Sequence, residues 1–372
     1  MRQRKKKILI GINDLCVGGA QRQVIRQLSY FNKDLYDIHV VTLLPCGDRV
    51  DLKSLVPTSI PVETFTFSSF GDIRSWYRLL RFLRKERPDV VLSNLFFSNT
   101  VFRVLKMFGR YTVVTCEHNT YIDKPKTQLF VDWVLSFVTE KIIAVSDEVK
   151  EFLIQRAHIS TKKISVVYNG IDLTEVHEKS KRFQKDIVRK ELGWEDAAGI
   201  ILHVGRLAAQ KNQTLLVEGF AKFVEEHPDW KLLIVGGGEE YATLKQLVET
   251  LNISKNVQLT GEQEEVYPYY VASDCFLTTS IIEGMSITHL EALAHGLPII
   301  STHTGGTSAI LETGETGFFV ETYTPESVVE ALEAFIRADK ETLRTATVKK
   351  STLFDITRTV CMYEECIEHA TQ

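Results

Sequence analysis

Nowhere in this chain of 372 residues do 18 apolar residues run together. The longest stretch of that kind, Leu129 to Val145, is interrupted by Asp132, Glu140 and Lys141. A membrane-spanning helix is therefore not expected. The chain opens with Arg2, Arg4 and Lys5 to Lys7, but only about six apolar-leaning residues follow before Asn13 and Asp14. That is too short for a signal-peptide core, and no small-residue cleavage site follows it. The segment reads as a first strand with a basic lead-in. Cysteine is sparse: Cys16, Cys46, Cys116, Cys275, Cys361 and Cys366 include no C-x-x-C pair. Their spacing suggests neither a disulfide framework nor a zinc site, so a reducing, cytoplasmic setting is expected. No P-loop and no G-x-G-x-x-G fingerprint appears, and no serine–histidine or cysteine–histidine constellation is evident.

What is present is material for two domains. Length alone favours that number, and 44% hydrophobic with 25% charged residues is ordinary for a soluble protein. Charge is unevenly spread. Residues 1–170 carry 26 Lys and Arg against 16 Asp and Glu, and the remainder 18 against 32. A basic first half suggests an anionic partner such as a membrane surface, a lipid phosphate or nucleic acid; the plainer alternative is a solvated basic face. Short apolar runs at 7–11, 38–44, 90–92, 112–115, 141–145 and 164–167 alternate with helical patterns at 20–31, 72–86 and 147–157. The alternation restarts with strands at 200–204 and 231–235 and helices at 212–226 and 240–251. Such order points to parallel βαβ units. The polar stretch 173–196 lacks a strand signal and reads as a linker, and 356–369 reads as a terminal helix.

Residues suited to chemistry fall after strands, the edge where open α/β sheets bind ligands. Gly18-Gly19-Ala20 would let backbone N–H groups approach a phosphate at a helix start, or would make a plain tight turn. Arg206 and Lys211, at a strand end and a helix start, can converge on a diphosphate; two surface charges are the competing reading. A lysine at a helix N-terminus opposes the dipole unless an anion sits there. Glu283-Gly284-Met285-Ser286 precedes an apolar helix beginning at Ile287, a good anion-binding start. Glu291, about two turns inside that helix, needs a polar partner such as a ribose diol or a salt bridge. Glu117-His118-Asn119 ends the strand at 112–115, with His118 either catalytic or structural. Gly236-Gly237-Gly238 either admits a base or ribose or forms a turn. No D-x-D triplet exists, and such a carboxylate pair commonly holds a metal on a nucleotide diphosphate. Its absence beside Arg206 and Lys211 favours neutralisation by side chains.

Taken in order, GGAQR at 18–22, VSDEV at 145–149, VVYNGID at 166–172, HVGRLAAQKN at 203–212, VGGGEE at 235–240 and EGMSITHLEALAHGLPII at 283–300 resemble the family 4 retaining glycosyltransferases. The resemblance covers nearly the whole chain. It implies the GT-B fold: α/β, with two Rossmann-like domains whose parallel sheets face across a cleft. Residues 1–175 would bind the acceptor and 176–355 the nucleotide sugar, with 356–372 crossing back to the first domain. Arg206 and Lys211 would bind the donor diphosphate. Glu283 would contact the transferred sugar and Glu291 the ribose. Gly18 and Gly19 would approach the donor, and His118 would lie near the sugar. Met285 and Ser286 stand where the family often has an aromatic and a glycine. Thr288 and His289 replace aliphatic residues, and Thr307-Ser308-Ala309 lacks a frequent glutamate.

The resulting expectation is a metal-independent transferase with no cofactor, using a UDP- or GDP-linked sugar. Backbone N–H groups at Gly284, Met285, Ser286 and Ile287 would assist with the leaving diphosphate. The acceptor would be a glycan or a lipid-linked sugar in cell-envelope polysaccharide synthesis. On the predicted helix 72–87, Arg74, Arg78, Arg81 and Arg84–Lys85 share a face that could dock on an anionic membrane from the cytoplasmic side. Nucleic acid is not expected as a partner. The rivals are a GT-B-fold sugar-nucleotide epimerase and a non-catalytic nucleotide-sugar binding protein.

Overall fold

The computed structural model describes residues 4–47, 49–120 and 124–372; Arg2 of the basic lead-in lies outside them. Contacts divide the chain into two units: Met1–Gly170 with Ile356–Gln372, and Ile171–Asp355.

The first unit is built on strands β1 (Lys6–Ile12), β2 (Tyr36–Thr42), β3 (Val62–Thr64), β4 (Val90–Asn94), β5 (Thr112–Glu117), β6 (Lys141–Ala144) and β7 (Ile164–Val166). They pair in parallel in the order β3-β2-β1-β4-β5-β6-β7. Strands such as VVLSN in β4 are buried end to end, because helices cover both faces of a parallel sheet. Those helices are α1 (Gly19–Leu28), α2 (Ile73–Glu86), α3 (Phe96–Lys106), α4 (Lys126–Ser136), α5 (Asp147–Gln155) and the chain's last helix, Ile356–Thr371. Right-handed crossovers put α2 to α5 on one face and α1 on the other. Leu79 and Leu83 of α2 accordingly share a core with Val101, Phe102 and Leu105 of α3, while the last helix packs against α1. Gly11 in β1 is required: a Cβ there would lie 2.2 Å from the Phe102 ring.

One expectation fails here. Cys16 and Cys46 form a disulfide, with Cα atoms 5.6 Å apart. The loops after β1 and β2 run side by side, tied by Val17 N–H to Val50 O (3.0 Å) and Leu52 N–H to Leu15 O (2.8 Å). That pairing of loops, not any spacing in sequence, brings the two thiols together.

The second unit carries β8 (Gly199–Val204), β9 (Trp230–Val235), β10 (Val257–Gly261), β11 (Cys275–Thr278), β12 (Ile299–Thr302) and β13 (Gly317–Val320), paired in parallel in the order β10-β9-β8-β11-β12-β13. Its helices are α6 (Leu173–Ser180), α7 (Lys185–Glu191), α8 (Gln213–Glu226), α9 (Tyr241–Thr250), α10 (Tyr267–Ala272), α11 (Ile287–Ala294), α12 (Thr307–Ile310), α13 (Pro325–Arg337) and α14 (Lys340–Ser351). The expected linker at 173–196 is instead α6 and α7, and both pack on α10. Asp274 anchors α7, taking Lys185 at 2.6 Å and Arg189 at 2.5 Å. Polar composition had masked two helices, of which α7 turns Lys185 and Arg189 to the body of its own unit. Among the described residues, no helix is long and apolar enough to cross a membrane.

Candidate active site

In the second unit, β8 ends in Gly205 and Arg206, and the loop to α8 folds back under its own hydrogen bonds. Gln213 Nε2 donates to Arg206 O (2.9 Å) and to His203 Nε2 (3.2 Å). His203 must therefore carry its proton on Nδ1, which donates to Leu277 O (3.0 Å). Burial lowers the His203 pKa to about 4, so the ring is a neutral structural bracket. The far end of the loop is held by the segment after β11: Thr279 Oγ1 donates to Asn212 O (2.7 Å) and Ile281 N–H to Gln210 O (2.8 Å). These bonds place Lys211 against Glu283, whose Oε1 receives both the lysine ammonium and Ser280 Oγ (2.9 Å). Both members of the ion pair remain partly open to solvent. The Arg206 side chain is exposed.

The glycines nearby serve this loop. Gly236 and Gly238 have φ of +144° and +151°, and a Cβ on either would strike Gly205 O at 1.9 Å or Leu207 O at 2.2 Å. Gly236 and Gly238 thus let backbone approach backbone at this turn. Gly305 likewise lets its loop sit on the Glu283 carbonyl, 2.2 Å from where a Cβ would be.

Helix α11 starts at Ile287 with no side-chain cap, since Ser286 Oγ turns to Thr288 Oγ1 (2.9 Å). Its first amides have no intrahelical acceptor, and Gly284, Met285, Ser286 and Ile287 surround them. Glu291 lies one turn into the helix, not two, because the helix begins at Ile287. Its Oε2 accepts from Tyr270 OH (3.0 Å).

The first unit presents a different arrangement. Gly18 is an extended N-cap to α1, and a side chain at Gly19 would meet open space. Buried Asp14 braces this loop, accepting from Cys16 N–H (3.1 Å), Gln21 Nε2 (3.0 Å) and Arg49 (3.0 Å). His118 follows β5. Asn94 gives its amide nitrogen to Gly11 O (3.3 Å), so its Oδ1 accepts from His118 Nε2 (2.9 Å). His118 Nδ1 is thus an acceptor, and among the described residues it has no hydrogen-bond partner. Burial lowers the His118 pKa to about 4. Behind it, Glu117 accepts from Asn99 Nδ2 (2.8 Å), and burial raises its pKa. Asp132 takes Arg103 (2.7 Å) and Lys124 (2.5 Å), all three out of solvent. Among the described residues, one group of side chains lies close enough to share a metal: Glu226, His227 and Glu333. It lies at the end of α8 away from Lys211.

Two family models match this chain. Residues 17–175 match Glycosyltransferase Family 4, and residues 184–351 match Glycosyl transferases group 1. The chain belongs to the family 4 glycosyltransferases. A UDP-Gal:alpha-D-GlcNAc-diphosphoundecaprenol alpha-1,3-galactosyltransferase of Escherichia coli is 28% identical over 85% of this chain and 84% of its own length. A Campylobacter jejuni N-acetylgalactosaminyltransferase named for a diphospho-undecaprenol-linked saccharide is 27% identical, covering 90% and 91%. Among solved structures, Anabaena HepE in complex with UDP-glucose superposes with a TM-score of 0.83 at 21% identity, over 97% of this chain and 99% of that one. The fold of this glycosyltransferase is GT-B, with two Rossmann-like units on parallel sheets.

In the glycosyltransferase, the second unit brings Lys211 and Glu283 together and sets the α11 start beside Glu283 in the chain. Gly18, Gly19 and His118 belong to the first unit. Sequence reasoning missed the supports: His203 and Gln213 under the Arg206 loop, Tyr270 on Glu291, Ser280 on Glu283, and Asn94 on His118. For His203, Gln213, Ser280 and Asn94 only a position near a strand end could have pointed to them; Tyr270, inside α10, gave no such signal.

Proposed function

We propose that this glycosyltransferase moves a hexosyl unit from a UDP- or GDP-linked donor to a lipid-linked saccharide. Anomeric configuration is retained, no metal is used, and the product feeds cell-envelope polysaccharide. The carrying observation is the Lys211–Glu283 pair, held partly open at the sheet edge by bonds between the 205–213 and 279–283 segments. A diphosphate would take up Lys211 and Arg206, and the α11 amides would add positive potential. All three act where negative charge grows as the glycosidic bond breaks. Glu283, freed from Lys211, would then accept from a sugar hydroxyl. Glu291, oriented by Tyr270, would take the ribose diol. His118 Nδ1, a neutral acceptor without a partner among the described residues, suits a sugar hydroxyl, and Gly18–Gly19 would offer amides to the donor.

The relatives support this reading: one is named for UDP-Gal, both are named for undecaprenyl-diphosphate-linked acceptors, and HepE holds UDP-glucose. Arg74, Arg78, Arg81, Arg84 and Lys85 are exposed on α2, which favours work at the inner face of a cell membrane. Retention would proceed by attack on the donor's own face, with no covalent intermediate; trapping a glycosyl-enzyme would overturn that part.

The test is thermal stabilisation of the pure protein by UDP, GDP, ADP and NAD, each with and without EDTA. A ligand at 100 times its Kd adds about 2.7 kcal/mol. We expect one nucleoside diphosphate to stabilise the protein in EDTA, and Arg206→Ala and Lys211→Ala to abolish the effect. With a lipid-linked acceptor, Lys211→Ala should lower kcat by about 10²–10³. Stabilisation by NAD alone, or by nothing, would reject the site. Donor turnover without acceptor would make the protein an epimerase, and binding without turnover a sensor.

A further inference from the structure

Helix α4 buries Leu129 and Leu135 together with its charge, yet leaves an apolar face outward. Its one charged side chain past the first residue, Asp132, is buried against Arg103 and Lys124. Its outer face is apolar: Phe130, Trp133, Val134 and, one residue past the helix, Phe137 are each between 39% and 68% exposed. These positions are spaced three and four apart, so they form one stripe. Trp133 touches both phenylalanine rings, at centroid distances of 5.8 Å and 5.4 Å. The end of α3 adds exposed Met107 and Phe108, held near by the Lys106–Glu140 pair (2.9 Å).

Cations rim this stripe. Lys126 is exposed in the first turn of α4, and Arg110 follows Phe108 closely. Lys163 donates to Ser136 O (2.5 Å) and Thr139 O (2.8 Å), which puts exposed Lys162 by the helix end. The solvent face of α4 bears no acid. Aromatic side chains ringed by lysine and arginine suit the headgroup level of an anionic bilayer. A second copy seated on the same stripe about a two-fold axis would set these cations against their own images. The basic face of α2 lies on the same side of the sheet, across α3, so charge and apolar surface can meet one plane.

We infer that the aromatic stripe of α4, with Met107 and Phe108, enters the interface of an anionic lipid bilayer while α2 supplies long-range attraction. This rests on the membrane reading above and names its contact surface. It assigns anchoring to a helix that the charge pattern alone does not single out.

The test uses the full chain and vesicles of phosphatidylethanolamine with or without phosphatidylglycerol, some brominated on the acyl chain. The wild type should sediment with anionic vesicles, and brominated lipid should quench tryptophan fluorescence. The quenching should vanish in Trp133→Phe, leaving Trp76, Trp194 and Trp230. Phe130→Ser with Phe137→Ser should weaken partitioning at least about tenfold without altering thermal stability. If the wild type binds without acyl-chain quenching and the double variant binds equally, α4 is not the anchor, though the membrane reading stands. If the wild type does not bind, both fail. A concentration-dependent dimer lost in Phe137→Ser would give the stripe to a second copy and overturn the inference.

Discussion

At the C-terminal edges of β8 and β11, Lys211 and Glu283 pair while still reachable from solvent. At the corresponding edge of β5, Glu117, Arg103, Lys124 and Asp132 lie together out of solvent, two cations against two carboxyls. Both arrangements stand next to a histidine held neutral by burial, His203 in one and His118 in the other. The difference is in what a new anion would find. In the second unit it meets a lysine whose partner can be displaced, an exposed arginine and a helix start. In the first it meets charges already satisfied and a histidine offering only an acceptor. The second unit is therefore built to take charge, and the first to hold shape.

That contrast breaks most visibly at Asp132. Asp132→Ala leaves Arg103 and Lys124 buried without their carboxylate, which should cost about 3–5 kcal/mol. Urea unfolding followed by Trp133 fluorescence would measure it. Stabilisation by a nucleoside diphosphate should survive, because Arg206, Lys211 and the α11 start, which would take the diphosphate, lie in the other unit. If the variant is as stable as the wild type, the buried network is not what holds α4.

A second break is at the disulfide, which is confined to the first unit. It closes a sequence separation of 30, worth up to about 3–4 kcal/mol by loop entropy. Reduction, or Cys46→Ser, should lower the unfolding midpoint of the first unit and leave the diphosphate contacts of Arg206 and Lys211 in the second in place. Equal midpoints with and without reductant would mean that the paired backbone of the 15–17 and 50–52 segments suffices.

The same contrast explains what the sequence could disclose. Strands were readable because parallel sheets bury both faces, which leaves apolar runs such as Ile200–Leu202 and Ile142–Ala144. Loops at strand ends were readable through glycine and charge, as at Gly205-Arg206 and Glu283-Gly284. Partners distant in the chain were not. Asp132 looked like a mere interruption of an apolar run, because its partner Arg103 is 29 positions away. The aromatic residues of α4 carried no signal of exposure, since hydropathy cannot tell an exposed stripe from a buried one. The linker reading at 173–196 failed for the converse reason: Lys185 and Arg189 are polar but serve Asp274 inside their own unit.

His289 offers the smallest change and sharpens the comparison from within the second unit. It is buried on α11 beside Phe276 (ring centroids 5.7 Å), and among the described residues neither ring nitrogen has a hydrogen-bond partner. Burial, with the Lys211 and His203 charges adding to it, lowers its pKa to about 3. Below the unfolded value of 6.5 the unfolded chain binds a proton that the folded one refuses. Stability is thus full above that pH and falls as pH drops toward 3. His118, His203 and His295, each near 4, act in the same direction. His289→Leu removes an unsatisfied imidazole and keeps an apolar filling, so at neutral pH it should change stability by at most about 1 kcal/mol, in the stabilising direction. Its larger effect should appear on acidification, where the unfolding midpoint of the variant falls less steeply between pH 6.5 and 4. Parallel pH profiles for variant and wild type would mean that His289 finds a proton-accepting partner as the pH falls, and that the floor of the Lys211 site is more polar than its packing indicates.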